Sequence, residues 1–544
     1  MPLSKRPRGG AALAVLAGLP LLAFPARGRD VYGQKLGSVE FPVSCSAEAA
    51  ASLRRGLALL HHMTYEGARQ EFAAATARDP ACAMGYWGEA MTHIHPLWSD
   101  PPSAADFERA AGLARRAAAA RGTSPRERAY VEALTAYFTP GRGDSEKPNL
   151  RAFAAGWREA HRRFPADPEI RSFHSLTLLA TADPDDKTYR IQERAAAIAA
   201  PVLRRIPDHP GAHHYTIHSL DYPPLAERAV AVARRYGRIA PTVPHALHMP
   251  SHIFVRRGLW QEAAAMNRRS ADAALLHPAD GRISLHYPHA LDYLAYADLQ
   301  RGEDDRARAV LAELRQAIAE PVQPHVASAY ALAAVPARLL LERGAWSRAV
   351  GLEPLTPPGF PWQRFPAMEA ITHFARALGA ARSGRPEGAR REIRRLEELR
   401  VAAAAGSDYW GKQVEIMQRS AQAWLLLAEG DTAGALTAMR AAADLEATTE
   451  KHPVTPGEVL PARELLGDML LAGKRWREAH AAYVEALERS PLRLNGLYGA
   501  ARAAEGMGER DLATRHYRAL LEATAEGSDH PAVARARAYL AGGG

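Results

Sequence analysis

Apolar and small residues recur along most of this chain with helical spacing, and alternating strand patterns are almost absent. One unit shows the design: Gly56, then Ala68, Phe72 and Ala75, then Pro80. A small residue sits in a first helix, an alanine–aromatic–alanine stripe runs along a second, and proline ends it. Gly467, Ala479, Tyr483, Ala486 and Pro491 repeat these offsets without a shift, and adding 34 residues lands on Ala513 and Tyr517. Between these ends the period loosens. A turn glycine followed five residues later by alanine recurs as Gly258/Ala263, Gly302/Ala307, Gly344/Ala349, Gly384/Ala389 and Gly430/Ala435. The pattern predicts an all-α chain of stacked helical hairpins, a right-handed α-solenoid in which each hairpin packs on its neighbours. The stretches Thr139 to Asp144 and Leu355 to Pro361 are rich in proline and glycine and read as loops, the second as a boundary between lobes.

The offsets of the terminal units resemble those of tetratricopeptide repeats (TPR). The segments Phe41-Pro42-Val43-Ser44-Cys45, Asp79 to Gly88 and Pro244 to Phe254 are similar to signature segments of a group of large exported bacterial TPR proteins. The resemblance implies a TPR-like fold over 34–354, with a histidine-rich concave face, and over 362–544. It also implies that Cys45 and Cys82 belong to the pattern, and assigns no activity.

The first residues read as an export signal over 1–26. Lys5, Arg6 and Arg8 precede an apolar stretch from Ala11 to Phe24, and Ala26 is the expected cleavage point. An uncleaved anchor is the competing reading. The expected location is periplasmic or secreted, with no membrane span after cleavage. There, the only two cysteines, Cys45 and Cys82, are expected to form a disulfide, the other reading being two buried thiols. Two cysteines cannot make a cysteine-based zinc site. The net charge of +9 comes largely from arginines scattered among helices, with no basic stripe interleaved with aromatics, so no nucleic-acid partner is expected. No His-Glu-x-x-His, nucleophile elbow, phosphate loop or dinucleotide fingerprint is present.

The remaining chemistry is histidine. Three stretches, Ala212 to His218, Pro244 to His252 and Leu285 to Asp292, hold eight of the 22 histidines. His214/His218 and His248/His252 are i,i+4 pairs and His245/His248 is i,i+3, which puts imidazoles on one helix face. Counting back from the turns at Pro224, Gly258 and Gly302 aligns His218 with His252 and Tyr296, His214 with His248 and Asp292, and His245 with His289. His213 and His286 fall off this face. The expected metal set is therefore His214, His218, His245, His248, His252, His289 and Asp292, centred on His214, His218, His248 and His252, for zinc, copper or iron. Asp221 is an alternative carboxylate or a partner that orients a ligand. Tyr215, Tyr293 and Tyr296 are expected beside a bound ligand, with Tyr287 a further candidate. Pro250 is expected to bend its helix so that His252 turns toward the first turn.

Two functions fit. One is a scaffold that binds a peptide, protein or small ligand in its concave groove, with a histidine cluster able to take a transition metal. The other is a metal-dependent hydrolase or oxidase with that cluster at its centre.

Overall fold

The computed structural model describes residues 32–33, 35–98, 100–143 and 145–542, so the signal segment 1–26 lies outside the described residues. Among the described residues every regular element is helical, from Ala47–His61 to Pro531–Ala541. Among the described residues, extended backbone pairs only at two isolated bridges, Ala279 with Arg282 and Ile283 with Val322. Antiparallel helices stack in sequence order, which makes the chain a TPR-like α-solenoid.

The hairpin pattern works through an aromatic wedge. A methyl group on Gly56 would lie 3.1 Å from the Phe72 ring, and one on Gly88, in the next hairpin, only 2.2 Å from it. Tyr483 stands in the same relation to Gly467 at 2.8 Å and Gly499 at 2.2 Å. Each aromatic thus touches a backbone in its own hairpin and one in the next, so the two glycines set how closely the units stack. The turn glycines Gly258, Gly302, Gly344, Gly384 and Gly430 all have positive φ, a conformation that admits glycine at no steric cost. The five glycine turns read from the sequence are therefore present in the structure. Cys45 and Cys82 are joined by a disulfide, Cα to Cα 5.0 Å, which ties the segment before the first helix to the second hairpin.

The loop at Leu355 to Pro361 does not interrupt the stack. Arg382, beyond it, lies with its guanidinium 3.9 Å from the ring centre of Trp346, before it, and 3.9 Å from that of Trp424. The C-terminal hairpins also turn back on the middle of the chain. Trp260 Nε1 donates to the Leu492 carbonyl (2.9 Å), Ala525 N to that of Arg301 (2.9 Å), and Ser528 Oγ to that of Gly302 (2.8 Å). Arg493, 1% exposed, donates to Glu342, Glu464 and Tyr296. These contacts bury the inner helices on every side, and Tyr287 to Gln300 is buried without a break. No helix among the described residues is long and apolar enough to cross a membrane.

One buried acid is poorly compensated. Asp298 Oδ1 has no hydrogen-bond partner, and the nearest cation is Arg306 at 3.9 Å. Burial pushes its carboxyl up to about 7. The native state then holds a proton that the unfolded chain releases near pH 4, so this group favours folding fully below that pH and the benefit fades as pH rises through about 7.

Three outcomes follow from these observations. Gly88→Ala is expected to cost on the order of 3 kcal/mol in denaturant unfolding. Gly112→Ala, in a roomier helix interior where only the Arg115 side chain comes within 4 Å, should stabilise by about 0.5–1 kcal/mol. Asp298→Asn should raise the melting temperature at pH 8 and leave it nearly unchanged at pH 4; an equal gain at both would refute the burial account.

Candidate metal centre

Four short helices supply the histidines: Pro210–Leu220, Pro244–His248, Pro250–Arg256 and His286–Gln300. Each of the first three begins on a proline at its first turn, where the missing N–H costs nothing. Pro250 splits what would be one helix into two, and His248 and His252 meet across the break. The imidazoles fall into two triads. His214, His218 and His245 form the first, and His248, His252 and His289 the second; within each, one ligand-capable atom per residue lies within 4.8 Å of the others.

The second triad has its protons assigned by its surroundings. Asn267 donates its amide hydrogens to Ser251 Oγ and the Ala263 carbonyl, so its Oδ1 accepts, and His248 Nδ1–H donates to it at 2.8 Å. His252 Nδ1–H donates to Asp221 Oδ2 at 2.9 Å. In neutral rings both Nε2 atoms are then bare lone pairs, and they face each other at 3.1 Å. His289 closes the set, its ring 4.2 Å from that of His248, and Tyr293 walls it edge-on at 4.5 Å from His248.

In the first triad, His214 Nδ1–H donates to the His61 carbonyl at 2.7 Å, so its Nε2 also points inward as a lone pair. It meets His218 Nε2 at 3.1 Å and His245 Nε2 at 3.2 Å. Two nitrogens bound tetrahedrally to one ion at about 2.05 Å stand roughly 3.3 Å apart, close to these separations. The outer nitrogens Nδ1 of His245 and His289 are buried without a partner.

Burial sets the charge of the site. It pushes His218 down to about 3, and His214, His245, His248 and His289 well below the ordinary imidazole range. Burial lowers His252 too, and the bond to Asp221 restores only part of the loss. Burial alone would raise the Asp221 carboxyl, but Lys451 and Arg256 outweigh it and hold the group ionised. Lys451 Nζ donates to Asp221 Oδ2 at 3.1 Å and Arg256 Nε to Oδ1 at 2.9 Å. All six triad imidazoles are thus neutral at pH 7.

The inner face is not an open groove. Lys451 to Thr455 lies across it, with Tyr293 donating to the carbonyls of Pro453 (3.0 Å) and Thr455 (2.9 Å). A small pocket remains beside the triads, with about 30 Å³ for the centre of a water-sized molecule. That is room for one or two such molecules.

Several sequence expectations change. One four-histidine centre becomes two triads, because successive helices are offset by about one turn: His248 lies beside His289 instead of Asp292, and His245 beside His214. Only the His218–His252 alignment persists, at 5.6 Å between rings. Asp292 is carried out of the set and pairs with the buried Arg338 at 2.5 Å. Tyr296 accepts from Arg493 and touches neither triad. The Tyr215 hydroxyl donates to His61 Nδ1 at 2.9 Å, because His61 Nε2–H is committed to Glu169. Tyr287 donates to Glu313, away from the site. His213 and His286 lie outside both triads, as read. Sequence reasoning missed Asn267, Lys451, Trp98 and His452. The first lies on the second helix of its hairpin and the others in loops, where no periodicity marks them.

A third group, His61–Glu169–His209, is a closed hydrogen-bond network. His61 and His209 both donate to Glu169 Oε2, at 2.7 and 3.0 Å, and the Ala212 amide donates to His209 Nδ1. The backbone carbonyl of His61 in turn accepts from His214.

No family model and no curated protein matches the chain. Among solved structures it is similar to the APC/C hetero-tetramer Cut9–Hcn1, at 11% identity over 91% of this chain and 97% of that one, with a TM-score of 0.28. It is also similar to yeast Tom70, at 10% identity over 91% and 96%, with a TM-score of 0.29. Scores at this level carry no functional inference, and the fold description rests on the hairpin packing itself.

Proposed function

We propose that this TPR-like scaffold is a metalloprotein that binds two transition-metal ions. His214, His218 and His245 hold one, and His248, His252 and His289 the other. The observation that carries the reading is the pair of bare Nε2 atoms of His248 and His252, 3.1 Å apart, each ring's only proton being committed outward. Two lone pairs at that distance repel unless a cation lies between them. The outward bonds to Asn267, Asp221 and the His61 carbonyl are what a metal-ligating histidine needs to fix its tautomer and ring plane. Neutral imidazoles select zinc, copper, nickel or iron over calcium and magnesium. The Cys45–Cys82 disulfide supports an oxidising compartment and hence export. A peptide bound in the concave groove has less support, because the chain's own 451–455 segment covers the histidine-rich face.

Elemental analysis of purified protein, before and after loading with zinc, copper and iron salts, tests this. Two ions per chain are expected, one after His214→Ala/His245→Ala, one after His248→Ala/His252→Ala, and none after all four changes. Asp292→Asn should keep both ions. Asp221→Asn should weaken the second about 10–100-fold, as loss of a ligand-orienting carboxylate does. Protein that stays metal-free with every salt would overturn the reading.

A further inference from the structure

The small pocket belongs to both triads. Its wall holds His218 and His245 from the first and His252 and His289 from the second. The rest of its lining is Leu97, Trp98, Pro453 and Val454, with His452 the one further polar residue. A ligand there is in reach of both ions, yet the space admits no organic substrate. This apolar lining disfavours a hydroxide or a charged anion and accepts a small neutral molecule.

Charge narrows the metal. Six neutral nitrogens bring no negative charge, and the nearest carboxylate, Asp221, is already met by both Lys451 and Arg256. Two divalent ions side by side would repel about four times as strongly as two monovalent ones. No ligand is a carboxylate, as iron sites of the two-histidine type require, nor a bridging group that would screen a divalent pair. Three nitrogens without a fourth ligand is a coordination copper(I) accepts, and of the metals that imidazole binds it is the one that is stable as a monovalent ion.

Building on the two-ion reading, we infer that the triads hold a pair of copper(I) ions and that the pocket between them binds dioxygen. Each copper gives one electron, and dioxygen takes both and becomes the peroxide dianion. The O–O π bond is lost, the σ bond stays, copper–oxygen bonds form to both ions, and no proton is required. The dianion supplies the negative charge that two copper(II) ions would otherwise lack. The oxidation is thereby coupled to capture of the ligand.

The full chain is loaded anaerobically with copper(I), and a parallel sample with zinc(II), before air is admitted. The expected result is two coppers per chain, uptake of one dioxygen per two coppers, a new charge-transfer absorption and no paramagnetic signal from isolated copper(II). Val454→Phe, which fills the pocket, should keep two coppers and slow uptake at least tenfold; Val454→Leu should give an intermediate rate and serves if the larger residue prevents folding. His289→Ala should abolish paired uptake. Two zinc ions per chain combined with copper that oxidises singly, or with uptake unchanged in both Val454 variants, would overturn the dioxygen inference and leave the two-ion reading standing. Failure to bind either metal would overturn both.

Discussion

Imidazole lone pairs buried face to face are the constraint on which the rest of this structure depends. Inside a protein, a ring nitrogen without a proton or partner is costly, and two of them aimed at each other are costlier still. Here the fold enforces that arrangement by holding three of the six rings from behind. Asn267 and Asp221 fix two rings of one triad, and the His61 carbonyl fixes one of the other. Each of these holders is itself held. Asn267 is pinned by Ser251 and Ala263, Asp221 by Lys451 and Arg256, and His61 by Glu169 and Tyr215. Structural histidines would relieve the conflict by turning one ring; His248 and His252 are both braced against turning.

The solenoid makes the bracing possible. Aromatic wedges at Phe72 and Tyr483 fix how far the first hairpin and a C-terminal hairpin stand from their next neighbours. The C-terminal hairpins then fold back across the middle ones, and the buried Arg493 and Arg338 networks lock that closure. Burial follows from closure, neutrality of the imidazoles follows from burial, and the proposed ligand set follows from neutrality. A repeat scaffold that usually leaves its inner face open is here filled by its own chain.

Much of this was legible in the sequence because it is local. Gly56 to Pro80 and Gly467 to Pro491 announce hairpins, and the turn glycines mark where each reverses. All six triad histidines are readable as helix-face neighbours. Their grouping was not, since it depends on an offset of about one turn between crossing helices, which no within-helix spacing encodes. That offset moves Asp292 to Arg338 and Tyr296 to Arg493. Asn267 and the Lys451 to Thr455 cover were illegible for a related reason: Asn267 reaches the site from the second helix of its own hairpin, and the cover comes from a distant loop that only the closure of the solenoid brings there.

The most direct test of the two-ion account is anomalous X-ray scattering from crystals of the metal-loaded protein, collected on both sides of the metal's absorption edge. The account predicts two peaks per chain, each about 2.0–2.1 Å from three imidazole nitrogens of one triad. A single peak shared between the triads, or no peak between His248 and His252, would contradict it.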